Sequence, residues 1–331
     1  MSILVTDKTK VLIQGITGKE GSKVALQMRN YGTKVLAGVT PGKGGQEVHG
    51  IPVYNTVVEA LENHPGINAS FIAVPNFTAY EAIKEAVEAK IPLINILTEH
   101  IPIQDTAKAI ALARSTVILS PKDEGSLALA SRSENASISG TSPEILRSAQ
   151  NDRIRIVGPS SIGIISPGVG KVGSIGGDDP RGVFSKGNVG VISKSGGMAS
   201  EVSWILTKNG IGQSTVIGIG GDILVGSSFA DLLEDFEKDE QTKAVVLFGE
   251  IGGTYEEEAA EMIKAGKFTK KVVAFISGLF AATLPQGTKL GHAGAIVYGE
   301  KGSYKSKISS LKDAGVIIAK TLDEIPNALS F

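Results

Sequence analysis

The sequence contains no cysteine, few aromatic residues and almost no net charge. Without cysteine, disulfides, thiolate metal ligands and a cysteine nucleophile are excluded. The net charge is −1, so the chain lacks the basic excess with which proteins bind nucleic acid, and we expect no such partner. No apolar run reaches the roughly 18 residues that a membrane span needs, and residues 1–10 show no signal segment. These features predict a cytoplasmic protein.

The sequence is rich in glycine and alternates between strand-like and helix-like segments. Its 331 residues predict two domains, and 41 of them are glycine. Short apolar runs followed by amphipathic stretches recur in both halves, which predicts an α/β protein with parallel, doubly wound sheets. Such sheets bind ligands at the carboxyl ends of their strands, where the glycine turns lie.

The first glycine turn, residues 15–21, reads Gly-Ile-Thr-Gly-Lys-Glu-Gly and joins a predicted strand at 11–13 to a helix predicted from Ser22. A helix N-terminus presents free N–H groups and the positive end of the helix dipole, so this turn can hold a phosphate. Its spacing is not that of the NAD fingerprint, and no acidic residue follows the second predicted strand, 34–39, to bind a ribose. An NAD-dependent oxidoreductase is therefore disfavoured.

Three further loops are expected at the same edge of the first sheet. Residues 40–45, Thr-Pro-Gly-Lys-Gly-Gly, carry Lys43, which is either solvated or available to a phosphate-rich ligand. The predicted strands at 69–74 and 93–97 end near the other two loops, 74–77 and 97–99. The pattern predicts one ligand site along this edge.

A serine-rich stretch, residues 115–152, interrupts the alternation and is predicted to be an insertion in the first domain. A strand predicted at 154–157 resumes the pattern. The domains are accordingly predicted at 1–157 and 158–331.

The second half contains a second candidate anion site. A strand predicted at 190–193 runs into Ser-Lys-Ser-Gly-Gly at 193–197, and a helix is predicted to follow from Met198. Serine hydroxyls and glycine amides at a helix start can hold a phosphate. Further on, the acidic run 256–258 begins another predicted helix, where we expect it to stabilise the helix dipole.

Two residues of the second half have side chains that are candidates for catalysis. Glu250 follows the strand predicted at 244–248, and His292 lies in the stretch 291–296, Gly-His-Ala-Gly-Ala-Ile. Taken alone, that stretch is either a tight turn into a strand at 295–297 with an incidental histidine, or an imidazole that small neighbours leave open to a large anionic reactant.

Seven ordered motifs resemble the alpha (small) subunit of the ADP/GDP-forming acyl-CoA synthetases, a family that includes succinyl-CoA synthetase and a fused relative in ATP-citrate lyase. The resemblance covers nearly the whole chain except 115–152. The motifs lie at residues 15–21, 40–45, 97–99, 193–196, 218–222, 249–253 and 291–295.

The resemblance implies a Rossmann-type CoA-binding domain followed by a flavodoxin-like ligase domain. It implies that His292 is phosphorylated in each turnover and that Glu250 orients it. A β subunit with an ATP-grasp fold would bind ATP or GTP with Mg²⁺, in an αβ or α2β2 assembly, and no metal site is implied in this chain. The implied contacts to CoA are Gly15, Thr17, Gly18, Lys19, Glu20, Lys43, Leu97, Thr98 and Glu99. Those to the phosphoryl group or the acid substrate are Ser193, Ser195, Gly196, Gly197 and Ser200.

The physical chemistry of imidazole agrees with these roles. A phosphoryl carrier must be both nucleophile and leaving group, and neutral imidazole is both near pH 7. A carboxylate on one ring nitrogen fixes the tautomer and leaves the other nitrogen to react.

The acid substrate is left open between two candidates. Ser-Gly-Gly-Met at 195–198 resembles the citrate-using relatives, and Ser200 stands where succinate enzymes carry a tyrosine. The first half of the chain is more similar to succinyl-CoA synthetase, and most chains of this type act on succinate, so succinate is favoured and citrate is the alternative. A non-catalytic CoA-binding module is a further alternative, against which Glu250 and His292 both argue.

Overall fold

The computed structural model describes residues 2–116, 153–280, 291–297 and 300–330. The predicted insertion lies outside the described residues from position 117 to position 152. Within the described residues, no helix is long and apolar enough to cross a membrane.

The first sheet has seven strands and is flanked by helices. Its strand order is β3-β4-β2-β1-β5-β6-β7, and every pair is parallel except β3 with β4. Its strands are β1 Lys10–Gln14, β2 Lys34–Val39, β3 Glu47–Val48, β4 Ile51–Tyr54, β5 Ala69–Ile72, β6 Leu93–Ile96 and β7 Arg155–Val157. Its helices are α1 Lys19–Tyr31, α2 Val57–Asn63, α3 Ala79–Glu88 and α4 Ile103–Ser115.

The second sheet also has seven strands, in the order β14-β13-β12-β10-β11-β8-β9. Its strands are β8 Gly163–Ser166, β9 Gly170–Gly173, β10 Lys186–Ser193, β11 Gln213–Gly218, β12 Ala244–Glu250, β13 Lys271–Ser277 and β14 Ile317–Ile318. Its helices are α5 Gly196–Lys208, α6 Phe229–Lys238, α7 Tyr255–Lys264, α8 Tyr304–Asp313 and α9 Glu324–Ala328.

Each sheet has one central strand from which the chain winds in both directions. In the first sheet the order reverses between β1 and β5, which is the Rossmann arrangement; in the second it reverses between β10 and β12, which is the flavodoxin-like arrangement. All seven residues of β12 are buried, as expected for a strand covered on both faces. Open parallel sheets bind ligands at such reversal points, so the topology directs attention to the ends of these four strands.

The hairpin β8–β9 was not predicted. It pairs with β11 in antiparallel orientation and extends the second sheet at one edge. Because its two strands are short and glycine-rich, they carry little of the apolar alternation by which strands are recognised in a sequence.

The two domains are joined by hydrogen bonds between the end of α1 and this hairpin region. The Thr33 hydroxyl donates to the carbonyl of Lys171 at 2.8 Å and accepts from the Lys171 amide at 2.9 Å. Gln27 Nε2 donates to Asp178 Oδ1 at 2.8 Å. These contacts fix the orientation of the hairpin against the first domain.

Several predicted elements differ from the structure. Helix α1 begins at Lys19 and not at Ser22, so Lys19 and Glu20 lie in its first turn. Residues 295–297 form no strand. Strand β12 extends to Glu250, two residues further than predicted, which places that carboxylate at the very end of the strand.

Candidate active site at the carboxyl ends of two sheets

Glu250 and His292 are in direct contact. The ring nitrogen Nδ1 of His292 lies 2.7 Å from Glu250 Oε2. An ionised carboxylate can only accept, so Nδ1 carries the hydrogen and the lone pair is left on Nε2. The glutamate is buried, whereas the histidine side chain is 39% exposed. The pair therefore presents one reactive nitrogen to solvent while the other is held.

The pKa of His292 is raised above its ordinary value. The hydrogen bond to Glu250 is the main cause, because it favours the protonated ring; partial burial acts in the opposite direction. The negative charges of Glu250 and Glu99 raise this pKa further, and the positive charge of Lys194 lowers it.

The imidazole of His292 lies directly on a glycine backbone. A Cβ placed on Gly221 would come within 2.5 Å of the His292 Cγ. The Gly294 amide donates to the Gly221 carbonyl at 2.9 Å. Gly252, at φ +87°, packs so closely that a Cβ there would lie 2.0 Å from the Gly294 carbonyl oxygen. The backbone of two glycine turns, at Gly221 and at Gly252, thus packs directly against the segment that carries His292.

Lys194 is a site residue that the sequence reasoning did not identify. It lies just after β10 and is only 2% exposed, yet its Nζ lies 4.0 Å from Glu250 Oε1 and 3.7 Å from Glu256 Oε1. The same ammonium group donates to the Gly252 carbonyl at 3.3 Å. The motif at 193–197 predicts an anion site from its serines and glycines, but the lysine between them is the residue that approaches the carboxylate bound to His292.

Behind Lys194 lies a buried ion network. Glu256 is fully buried; its Oε1 accepts a hydrogen bond from the Glu250 amide at 3.0 Å, and its Oε2 is paired with Lys307. Lys307, also fully buried, lies 3.2 Å from Glu257 Oε2. The acidic run 256–258 does lie in the first turn of α7, but the expectation that it serves the helix dipole is incomplete. Glu256 shares a helix face with the buried Ala259 and Ala260, a pattern that signals burial in the sequence itself.

The start of α5 differs in detail from the prediction. The Ser193 hydroxyl is buried, donates to the Ser195 carbonyl at 2.7 Å and accepts from the Ser195 amide at 3.1 Å, so it is engaged within the loop. Ser195 caps the helix, and its hydroxyl accepts from the Met198 amide at 3.5 Å. The first helical amides belong to Gly196 and Gly197, and Ser200 is partly buried one turn later.

A cleft of about 660 Å³ opens at the carboxyl edge of the first sheet. Three of the predicted CoA residues line this cleft, namely Gly15, Thr17 and Gly18. Lys19 and Glu20 are exposed at the start of α1, directly after Gly18, and Lys43 is exposed in the 40–45 loop. At φ +85°, Gly15 passes so close to the next strand that a Cβ would lie 2.4 Å from the Ala73 carbonyl oxygen. The turn therefore requires glycine at this point.

The end of β6 connects the two domains near the histidine. The Ser160 amide donates to the Thr98 carbonyl at 3.1 Å, and the Ser160 hydroxyl donates to Asp222 Oδ2 at 2.6 Å. Asp222 directly follows Gly221, the residue on which the imidazole lies. Leu97 and Thr98 are partly buried, and the exposed Glu99 is near enough for its charge to act on His292. Glu99, a predicted CoA contact, thus lies close to His292, the predicted phosphoryl carrier.

In the described part of the chain, no group of three or more His, Asp or Glu side chains is placed so that it could hold a metal ion. What the arrangement can do is hold one imidazole proton and expose the opposite nitrogen. That is the requirement for nucleophilic catalysis by histidine.

Comparison with protein-family models identifies both domains. Residues 6–100 match the CoA-binding domain, and residues 192–317 match the CoA-ligase domain. The protein is therefore of the class that joins a CoA-binding domain to a CoA-ligase domain, and the fold class expected from the sequence is confirmed.

Curated relatives give the family. The succinate–CoA ligase [ADP-forming] subunit alpha 1 of Archaeoglobus fulgidus is 44% identical over 325 residues, which cover 98% of this chain and 96% of the relative. The corresponding alpha subunit of Aquifex aeolicus is 44% identical over 318 residues, 96% of this chain and 90% of the relative. The chain belongs to the family of succinate–CoA ligase alpha subunits.

A solved structure shares the fold. The ATP citrate lyase of Methanothrix soehngenii, determined in complex with citrate and coenzyme A, matches 98% of this chain with a TM-score of 0.81 at 22% identity. This chain spans 50% of the length of that lyase chain. The likeness extends through both domains and concerns the fold alone.

Proposed function

We propose that this chain is the alpha subunit of an ADP-forming succinate–CoA ligase and that His292 carries the phosphoryl group between nucleotide and acid. The observation that carries the proposal is the 2.7 Å contact between His292 Nδ1 and Glu250 Oε2. It fixes the tautomer in which Nε2 is the nucleophile, at the reversal point of the second sheet.

Three displacements account for the reaction. His292 Nε2 attacks the γ-phosphorus of ATP, and ADP leaves. A carboxylate oxygen of succinate then takes the phosphoryl group from Nε2, which regenerates neutral imidazole and forms an acyl phosphate. Finally the CoA thiolate attacks the acyl carbon, and inorganic phosphate leaves. Nδ1 keeps its hydrogen throughout and donates it to Glu250, whose carboxylate stabilises the charge that develops on the ring.

The start of α5 is proposed to hold the transferring phosphoryl group. The amides of Gly196 and Gly197 point from a helix N-terminus, and Ser195 adds its hydroxyl beside them. Ser193, whose hydroxyl is engaged in the loop, supports this turn and does not contact the phosphate.

The cleft of the first domain is proposed to bind CoA. Its phosphates would lie at the α1 start, on Thr17, Gly18, Lys19 and Glu20, with Lys43 as a mobile counter-charge. The α1 N-terminus supports this, since Gly18 provides no side chain to cap it. The reactive end of CoA would then pass the end of β6, where Leu97, Thr98 and Glu99 lead towards His292.

We infer a β subunit as the partner, because the relatives are named alpha subunits of the ligase. We propose that this β subunit has the ATP-grasp fold and binds the nucleotide with Mg²⁺. The nucleotide is proposed to be ATP, in keeping with the ADP-forming relatives. The αβ or α2β2 complex is proposed to be cytoplasmic.

The phosphoryl carrier is tested in the complex with its β subunit. With γ-labelled ATP and Mg²⁺, the chain is expected to take up an acid-labile, base-stable phosphate, the signature of phosphohistidine. His292→Asn should abolish the label. His64→Asn should keep it, because His64 is engaged elsewhere, in a hydrogen bond between its Nε2 and the Tyr54 hydroxyl. Label retained in the His292 variant would exclude the mechanism.

Citrate remains a second candidate acid, favoured by the Ser-Gly-Gly-Met run at 195–198 and by the small Ser200. Turnover with succinate, citrate and malate, measured side by side at equal concentration, separates the two. We expect succinate to have the highest kcat/KM, and a higher value for citrate would assign the complex to the citrate-using branch.

A further inference from the structure

One oxygen of the histidine's carboxylate is left without a hydrogen bond. Glu250 Oε2 binds His292, but Glu250 Oε1 is buried and accepts no hydrogen bond from the described residues. A buried, unpaired carboxylate oxygen is costly. The cation that faces it is Lys194, whose Nζ is 4.0 Å away, too far for a hydrogen bond and close enough for a strong electrostatic attraction.

The Lys194 ammonium group also interacts with groups other than Glu250. Its Nζ is 3.7 Å from Glu256 Oε1 and 3.3 Å from the Gly252 carbonyl, and it lies 5.7 Å from the centre of the Tyr255 ring. The ammonium group therefore stands between two carboxylates, slightly nearer to the one that does not touch the histidine.

The second carboxylate is itself immobilised. Glu256 Oε1 accepts from the Glu250 amide at 3.0 Å, and Glu256 Oε2 is paired with Lys307. Lys307 in turn donates to the Gly253 carbonyl at 3.0 Å and lies 3.2 Å from Glu257. Because both of its oxygens are bound, Glu256 is fixed in position. It therefore determines how closely the Lys194 ammonium group can approach Glu250.

We propose that Lys194 is a positioning residue whose ammonium group is attracted by both Glu250 and Glu256. Its positive charge limits how strongly Glu250 stabilises the protonated form of His292. The inference deepens the proposed function, on which its catalytic consequence rests. An imidazole that stays protonated at neutral pH has no lone pair with which to attack phosphorus. Lys194 offsets part of the attraction of Glu250 and keeps the neutral form available.

The other charges around His292 make such an offset necessary. Besides Glu250, the negative charge that acts on the ring from a neighbouring element is that of Glu99, beyond β6. Asp222 follows Gly221, but its carboxylate accepts a hydrogen bond from the Ser160 hydroxyl. Lys194 is the cation among the described groups that acts in the opposite direction, and its charge lowers the pKa of His292.

The test is an NMR titration of the His292 ring in the full-length, unphosphorylated chain, with selectively labelled histidine. The chain has four histidines, so loss of one signal in His292→Gln assigns the resonance. Lys194→Met should raise the pKa of His292 by about half a pH unit or more. Lys171→Met, which removes a comparably buried lysine in strand β9, should leave it unchanged.

A second variant separates transmission through Lys194 from a general effect of charge. Glu256→Gln should free Lys194 to approach Glu250 and so lower the pKa of His292. In the Lys194→Met background the same substitution should have much less effect, since its route is gone. An unchanged pKa in Lys194→Met, or equal effects of Glu256→Gln in both backgrounds, would overturn the proposal. If Lys194→Met fails to fold, an unchanged or raised pKa in Glu256→Gln overturns it.

These measurements need no nucleotide, partner or turnover. Failure of phosphate labelling with a normal NMR result would count against the proposed function alone, and the reverse pattern would count against the role of Lys194 alone.

Discussion

A histidine bound through Nδ1 to a buried carboxylate is committed to one tautomer but is also made more basic. In this chain both consequences come from Glu250, at 2.7 Å. Orientation favours nucleophilic attack, whereas the raised pKa delays formation of the neutral ring until a higher pH. The balance between the two should be visible when the carboxylate is neutralised.

Glu250→Gln is expected to lower the pKa of His292, because the main cause of its elevation is removed. The pH at which phosphate labelling reaches half its maximum should therefore shift to a lower value. The maximal labelling rate should fall by roughly ten- to a hundredfold, since the amide orients the ring less firmly. Glu234→Gln, which alters an exposed ion pair on α6, is the control. A shift to higher pH in Glu250→Gln would contradict the assignment.

The pairing of Glu250 with His292 was predicted from the sequence, whereas the lysine beside this pair was not. Glu250 and His292 stand in distinctive small-residue motifs, and their contact was expected. Lys194 belongs to a motif that was noticed, but burial of a lysine is rare and no local pattern announces it. Its position depends on Glu256 and Lys307, which approach from elements distant in the sequence.

At the scale of elements, the site is made by strand ends and glycine turns. The ends of β10 and β12 bring Lys194 and Glu250 side by side, and the turn after β11 provides the surface beneath His292. Regular structure supplies the precision, and glycine supplies the close approach.

Gly221→Ala is expected to displace the imidazole, because the added Cβ would lie 2.5 Å from its Cγ. Phosphate labelling should slow by about a hundredfold, as displacements near 1 Å can do, while the thermal unfolding temperature changes little. Gly182→Ala, where a Cβ meets nothing within 4 Å, provides the matched control. Equal labelling rates in the two variants would show that the ring does not use this surface.

Element types were predictable because the buried strands have strong apolar runs. Element ends were less so: the start of α1 lies in a glycine turn without a capping side chain, and β12 continues through Gly249 to a charged residue. The structural role of Ser193 could not be predicted either. A serine whose hydroxyl forms a hydrogen bond within its own loop cannot be distinguished in a sequence from one that binds a ligand.

For the whole molecule, the relevant feature is the junction of the two domains. Lys171, on β9, is buried there, and its Nζ donates to the carbonyls of Ile175 at 3.0 Å and Gly177 at 2.7 Å. Burial lowers the pKa of this lysine to about 8, and the nearby Asp178 only partly opposes the shift. The junction thus contains a group that changes charge at mildly alkaline pH.

The sign of its effect on stability follows from proton binding. Between about pH 8 and pH 10.5, native Lys171 is largely neutral while the unfolded chain still binds the proton. The contribution of Lys171 to the free energy of unfolding should therefore rise with pH in this window. Urea unfolding of the natural chain and of Lys171→Met from pH 7 to pH 9.5 should show their difference growing in favour of the lysine. A difference independent of pH would contradict the lowered pKa.

The burial of the ion network behind the histidine also bears on the surroundings in which the protein can work. Dissolved ions screen charges that face water and have little access to charges enclosed by protein. Because Lys194, Glu256 and Lys307 are enclosed, the part of the imidazole's electrostatic setting that this network supplies is largely insulated from ionic strength. When the salt concentration around the protein rises, the contribution of this network to the acid–base behaviour of the imidazole should stay nearly constant, while the exposed ion pairs on the surface weaken.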